Sequence, residues 1–328
     1  MVLAGNVIAD LVIEVPALPE RGGDVLGSRT ELTAGGGFNT LTAARRLGLP
    51  GLYAGGHGTG PYGDLVRAAL ADADLPALLP ARTDGDSGFC VALVDDGGER
   101  TFVTSLGVDA RLTPAEADRI AAALRPGDLV QISGYGLVMP VNGPFLVELV
   151  RGAPAGVVVC LDPAPLVADI PVDRWEAVLA RTDWLSCNAR EARLSTGLTD
   201  PGAAARALRE RLPAGAGVVV RTGAQGCVVA APGAGAPEHV PGFPVVAVDV
   251  NGAGDTHVGA FLALLAAGAP PVLAARGANA AAACAVTRRG PATGPGTAEL
   301  LAFLAEDPVA EPLRAALAGL AGGGSPGR

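Results

Sequence analysis

Short β-branched runs alternate along this chain with longer Ala- and Leu-rich stretches, and this alternation constrains the fold more than any other feature. Leu129–Ser133, Val157–Leu161, Val218–Arg221 and Cys227–Ala230 read as strands, the last two separated by the turn Gly223–Gly226. Helical patterns lie at Asn39–Leu47, Tyr62–Asp72, Pro114–Leu124, Pro140–Arg151, Ala203–Leu212, Ala253–Ala267 and Pro271–Thr287. Continuously apolar strands joined through helices give a mostly parallel sheet covered on both faces. Thr113 before Pro114 is an N-cap followed by a proline at the first helical position, which fixes one helix start.

Two segments break the rhythm. Leu11–Thr33 has short extended pieces interrupted by Pro16, Pro19, Gly22 and Gly23, and Phe89–Val103 reads as a hairpin around Asp95–Gly98. Both suggest strands outside the main sheet, forming a flap over its end or simply surface hairpins. Residues 1–10, 34–88 and 104–318 would then form the α/β body, 11–33 and 89–103 the β lid, and the Gly-rich 319–328 a flexible tail.

Composition narrows the function. The net charge of -9, with no basic stripe, argues against nucleic acid as a partner. No apolar run reaches the 18 or so residues of a membrane span, and no basic segment precedes the first apolar residues. The expectation is a soluble, cytoplasmic protein without a signal peptide. Cys90, Cys160, Cys187, Cys227 and Cys284 are odd in number and widely spaced, which suits small core residues rather than a disulfide framework. His57, His239 and His257 lack metal-ligand spacing.

The strongest local signal is Asp249-Val250-Asn251-Gly252-Ala253-Gly254-Asp255-Thr256, between the strand-like Pro244–Val248 and the helical Val258–Ala267. Small residues at a helix start let backbone N–H groups approach a phosphate. An aspartate placed there would repel the phosphate unless it faces an alcohol and takes its proton during transfer. Asp255 therefore reads either as the base of a phosphoryl transfer or as a helix cap, with nearly equal weight. No Gly-Lys-Ser/Thr is present and no dinucleotide fingerprint fits.

Three weaker signals accompany it. Gly35-Gly36-Gly37 leads into Asn39, a cap or a hydroxyl ligand, and Asp10 ends an apolar strand where α/β sheets bind ligands. Asn188 and Glu191 have capping-box spacing, and could also hold magnesium through water. Thr222, Gly223 and Gly226 mark a turn that could touch a nucleotide.

Together these segments resemble the ribokinase-like carbohydrate kinases, also called the phosphofructokinase B family, from about residue 2 to 305. Val248–Thr256 looks like the C-terminal signature, Gly35–Asn39 the Gly-Gly substrate motif, and Asn188–Glu191 the Asn-x-x-Glu motif. Gly107–Ala110 with Leu112–Pro114 resembles the join from lid to body, and Asp162–Pro165 the segment after a central strand.

The resemblance implies a Rossmann-like three-layer α/β/α sandwich with a small β-sheet lid. It implies an ATP-dependent kinase that phosphorylates a hydroxyl, a primary alcohol, of a sugar or sugar-like substrate. Asp255 would be the base, and Gly252, Ala253 and Gly254 the anion hole. Asp10, Gly35, Gly36 and Asn39 would hold the substrate, with Phe89 and Tyr135 bordering it. Asn188, Thr222, Gly223, Gly226 and Asn279 would line the nucleotide, and Glu191 would act on Mg2+ through water. A K+-like cation at the backbone of Asp249 and Asn251, near the 286–290 loop, and a homodimer through the lid, are further implications.

The pattern departs at Ala34, Phe38 and His257, and at Gly134-Tyr135-Gly136, where ribokinases carry a glutamate that touches the sugar. The chain resembles most a bacterial branch of sugar kinases whose acceptor is not fixed. The alternatives are a nucleoside kinase of the same superfamily with Phe38, Phe89 and Tyr135 around a base, a catalytically silent sugar-binding regulator, and an α/β oxidoreductase. The two lid segments are expected to move relative to the sheet.

Overall fold

The computed structural model describes residues 1–322. Its strands are β1 (Val2–Ala4), β2 (Val7–Glu14), β3 (Arg29–Gly36), β4 (Leu52–Tyr53), β5 (Phe89–Val94) and β6 (Arg100–Ser105). They continue with β7 (Leu129–Ser133), β8 (Val158–Asp162), β9 (Trp184–Asn188), β10 (Gly217–Arg221), β11 (Gly226–Ala230) and β12 (Glu238–Pro241). The first six helices are α1 (Gly37–Arg46), α2 (Pro61–Asp72), α3 (Pro114–Ala123), α4 (Gly134–Val138), α5 (Asn142–Arg151) and α6 (Val172–Leu179). The others are α7 (Ala189–Thr196), α8 (Pro201–Arg209), α9 (Ala253–Ala266), α10 (Pro271–Val286), α11 (Thr297–Phe303) and α12 (Ala310–Gly322).

Among the described residues the strands form two sheets. The larger has the order β12-β11-β10-β9-β8-β7-β1-β4, parallel from β10 to β4 with β11 and β12 antiparallel at one edge. Successive strand residues point to opposite faces. Val219 therefore joins Leu41, Val66, Phe261 and Leu313 on one side, while Val218 and Val220 join Ile120, Leu146, Trp175 and Leu208 on the other. These two cores make the molecule a three-layer α/β/α sandwich. With 4% aromatic residues, the helices must pack closely through small side chains. A Cβ on Gly259 of α9 would stand 2.3 Å from Thr40 O of α1. That close approach sets the preceding turn of α9, which carries Asp255, beside Asn39 and Thr40.

The smaller sheet has the order β3-β2-β5-β6 and covers one end of the larger, forming the lid. Its strands reach beyond 11–33 and 89–103: β2–β3 pairing runs unbroken from Glu14↔Arg29 to Val7↔Gly36, and β6 ends at Ser105. The chain crosses between body and lid four times, at Gly5–Asn6, Gly36–Gly37, Ser87–Gly88 and Leu106–Gly107. The crossings gather around buried Asp109. Its carboxylate accepts from Asn6 Nδ2 and Gly88 N at 2.6 Å each, while Gly37 N donates to Asn6 O at 2.9 Å. A Cβ on Gly107 would lie 2.2 Å from Gly88 N.

Two further expectations need correction. Pro244–Val248 is not a strand: Pro244 has no N–H to give a ladder, and the amides of Val248 and Asp249 turn instead to Val286 O, at 2.7 and 3.1 Å. Residues 319–322 of the proposed flexible tail continue α12, which Leu313 and Leu317 anchor in the core, while 323–328 lie outside the described residues.

Candidate active site

The N-terminus of α9 faces the cleft between sheet and lid. Gly252, its N-cap, has φ +71°, and a Cβ there would stand 2.0 Å from Pro291 O, so only glycine fits on both counts. The amide of Ala253 is tied to Val250 O at 3.3 Å. The amides of Gly254 and Asp255 have no partner among the described residues, because they precede the first intrahelical bond, Thr256 N to Gly252 O at 2.8 Å. Of the expected anion hole, Gly252 and Gly254 therefore offer bare backbone, while Ala253 is engaged.

Asp255, the third residue of α9, is partly accessible and does not cap its own helix. Its Oδ2 accepts from Asn39 Nδ2 at 3.0 Å and its Oδ1 from Thr40 Oγ1 at 3.4 Å. Burial pushes its pKa up to about 6, opposed by Asn39, with nearby Asp162 raising it further and Arg221 lowering it. Asp10, on the lid face above, is pushed up to about 7 by burial and by the charge of Asp255. Gly35 leaves room for the Asp10 carboxylate, since a Cβ there would sit 1.8 Å from Asp10 Oδ2 and push it aside. Asn39 Oδ1 and Thr33 Oγ1 are buried acceptors without a partner among the described residues. Thr33 pairs with Asp10 across β2 and β3. The Tyr135 phenol borders the same space; burial first, then Asp255, Cys90, Asp162 and Glu191, push its pKa up to about 12.

Strand register corrects the aromatic assignments. Asp10 pairs with Cys90, so Cys90 shares its face and Phe89 points to the other side, stacked on Tyr62 at 4.6 Å. Phe38 is buried in the core. Of the three aromatics proposed around a nucleoside base, Tyr135 alone remains at the cleft.

The nucleotide side is also mixed. Thr222 Oγ1 is buried without a partner, and Gly223 at φ +66° has open space around it. Gly226 serves the sheet, because a Cβ there would meet Val240 O at 2.2 Å. The Asn279 side chain is spent inside the fold: Nδ2 donates to Val240 O at 3.0 Å, and Oδ1 meets His257 Nε2 at 3.1 Å. Burial holds His257 down to about 3, hence neutral.

Asn188 and Glu191 close a full capping box at the start of α7. Asn188 N donates to Glu191 Oε2, Asn188 Nδ2 to Glu191 Oε1, and Glu191 N to Asn188 Oδ1, at 2.7, 2.7 and 2.8 Å. Burial, then the charge of Asp162, push Glu191 up to about 7. Asp249 meets three donors: Arg100 Nη2 from the lid at 2.5 Å, Asn251 N at 2.9 Å and Gly290 N at 3.1 Å.

Two residues outside the expected set complete the cleft. Arg221, ending β10, donates to Ser186 Oγ at 2.7 Å and Asp162 Oδ2 at 3.1 Å, and lies 3.7 Å from Glu191 Oε2. Its guanidinium is 3.7 Å from where a Gly254 Cβ would be. Asp162 ends β8. The signal was a single charge closing an apolar run, at the C-terminal strand edge where such sheets bind ligands.

The chain that carries this site has known relatives. The model of the pfkB family of carbohydrate kinases matches residues 1–298. The chain belongs to that family. An uncharacterized sugar kinase of Escherichia coli, YegV, is 32% identical over 314 residues, covering 92% of each chain. The Arabidopsis thaliana ribokinase solved with ribose and ATP has a TM-score of 0.76 at 22% identity, covering 92% of this chain and 97% of that one. A Burkholderia thailandensis nucleoside kinase in complex with inosine has a TM-score of 0.77 at 17% identity, covering 93% and 96%. The fold is that of the ribokinases, and this pfkB protein is a phosphotransferase with an alcohol group as acceptor.

Proposed function

We propose that this kinase transfers the γ-phosphoryl group of ATP to a primary hydroxyl of a free sugar or sugar-like acceptor, with Asp255 as base. The observation that supports this most is Asp255 itself: half-buried, near pKa 6, and oriented by Asn39 and Thr40 rather than by its own helix. The acceptor hydroxyl lies against Asp255, while Asp10, Asn39 Oδ1 and the Thr33 hydroxyl bind its neighbours. The γ-phosphoryl group rests on the amides of Gly252, Gly254 and Asp255, with Arg221 offsetting charge. As the acceptor oxygen forms its bond to phosphorus, its proton passes to Asp255 and the bond to the β–γ bridging oxygen breaks, releasing ADP. Asp255 then returns the proton to solvent.

Magnesium fits as an outer-sphere ion. Asp162, Glu191 and Asp255 share one electrostatic neighbourhood, yet no three ligating groups converge among the described residues. Mg2+ keeps waters and binds chiefly through substrate phosphates. Asp162 and Glu191 would hold its water shell, and the ion would supply charge neutralisation on the phosphates.

A potassium-like cation held through the Asp249 carboxylate fits poorly. Three N–H donors already occupy the Asp249 carboxylate, one of them a guanidinium. A second unit charge about 4 Å from the first would repel it by about 4 kcal/mol at an effective dielectric of about 20.

A free sugar is favoured over a nucleoside because Phe38 and Phe89 are turned away from the cleft. We further propose a homodimer through the outer lid face, where Leu11, Ile13, Leu32, Val91, Leu93 and Val103 form an apolar surface half-buried or exposed. A cytoplasmic location accords with five free, buried cysteines. No helix among the described residues is long and apolar enough to cross a membrane. The decisive experiment is a panel of sugars and nucleosides assayed for ATP-dependent phosphorylation. Turnover of at least one free sugar and no nucleoside is the expected result; turnover of nucleosides alone would replace the acceptor assignment.

A further inference from the structure

The Arg100–Asp249 pair joins two parts of the molecule that are 149 positions apart in sequence. Arg100 opens lid strand β6, opposite Val94 on β5. Asp249 lies three residues before Gly252, in the segment that leads into α9. Both side chains are about four-fifths shielded from solvent, at 20% and 22% exposure. Through its other bonds Asp249 fastens its own loop at Asn251 and the loop after α10 at Gly290. The latter loop continues to Pro291, the carbonyl against which Gly252 is packed. The carboxylate therefore sets the position of the helix start that carries the free amides. It also places a negative charge beside the group that must receive phosphates. Among the described residues Arg100 is the one cation paired with it, since Arg289 is turned to Glu14 on the lid.

We propose that Arg100 provides, from the lid, the charge compensation at Asp249 that a bound monovalent cation would otherwise have to provide. This rests on reading the α9 start as a phosphate cradle. Arg100 acts as a positioning residue: it touches neither acceptor nor phosphate, but holds the loop from Asp249 to Gly252 in place and removes the local negative charge. One consequence is that the cradle is complete only while the lid lies against the body. A second is that the enzyme is indifferent to potassium.

The test compares potassium chloride with tetramethylammonium chloride at equal ionic strength, for the whole chain and for Arg100→Met and Arg100→Lys. The first readout is the thermal midpoint without nucleotide. The unmodified protein should melt at the same temperature in both salts, whereas Arg100→Met should melt lower in tetramethylammonium and be raised selectively by potassium. The second readout is calorimetric affinity for a non-hydrolysable ATP analogue. It should fall on the order of tenfold in Arg100→Met, be partly restored by potassium, and stay within about threefold in Arg100→Lys. A potassium-dependent midpoint in the unmodified protein overturns the proposal without requiring any variant to fold. An Arg100→Met protein with unchanged midpoint and affinity in both salts overturns it as well. Absence of analogue binding in every salt would instead defeat the kinase reading, leaving the midpoints to decide the role of Arg100.

Discussion

Helices α7 and α9 each place an acidic residue three positions after the N-cap, Glu191 after Asn188 and Asp255 after Gly252. Both carboxylates stand near Arg221 and Asp162, and burial raises both pKa values. They differ in their caps. Asn188 has a side chain and β-region backbone, so it exchanges hydrogen bonds with Glu191 and folds the carboxylate back onto the helix. Gly252 has no side chain and a left-handed backbone, so Asp255 finds its partners on α1 and stays directed at the cleft. The same acidic position thus serves structure where the cap can answer it, and becomes available for chemistry where the cap cannot.

The contrast can be tested from either side. The largest effect should come from Asp255→Asn, which keeps the shape and removes the proton acceptor. Turnover should fall by roughly 10²–10⁴-fold while nucleotide affinity persists; unchanged turnover in steady-state assays would end the base assignment. Gly252→Asn gives α9 a cap resembling that of α7. Because a Cβ has no room against Pro291 O, the variant should lose kcat/KM by on the order of tenfold or more and should melt earlier. Third, Asp255 must be ionised to act. With its pKa raised to about 6 and facing Asp10 at about 7, kcat/KM should hold above pH 7 and decline as pH falls through 7 to 6, reaching about a tenth or less by pH 5. A flat profile from pH 8 to 5 would show that neither carboxylate takes the proton. The smallest effect belongs to α7: Asn188→Ala should cost about 1 kcal/mol in denaturant unfolding, and Asn188→Asp no less, because its carboxylate would replace the Nδ2 donor and face Glu191 Oε1.

Much of the body was legible because apolar periodicity reports which side of an element faces the core. Thr113 and Pro114 marked the start of α3 correctly for the same local reason, a cap that closes with Glu116. The cleft was harder to read, because its geometry depends on pairings remote in sequence. Phe89 was misplaced because which face it occupies depends on the Asp10↔Cys90 register, which no local pattern encodes. Asn279 lies where its motif position suggests, but its amide was claimed by β12 and His257 from other parts of the chain. Pro244–Val248 had strand-like composition, but Pro244 lacks an amide, Val286 O takes the amides of Val248 and Asp249, and Val246 remains 85% exposed. Arg221 and Asp162 were visible as lone charges closing strands β10 and β8. Their mutual contact followed only from the sheet order that sets those strands one apart.

The four crossings between body and lid gather around Asp109, a junction separate from the Arg100–Asp249 tie. Asp109 holds both hairpins at once, through Asn6 and Gly88, so a change at this one carboxylate reaches both strand pairs of the lid. An Asp109→Asn substitution, which keeps the shape but alters the acceptor of both bonds, should therefore loosen the two hairpins together.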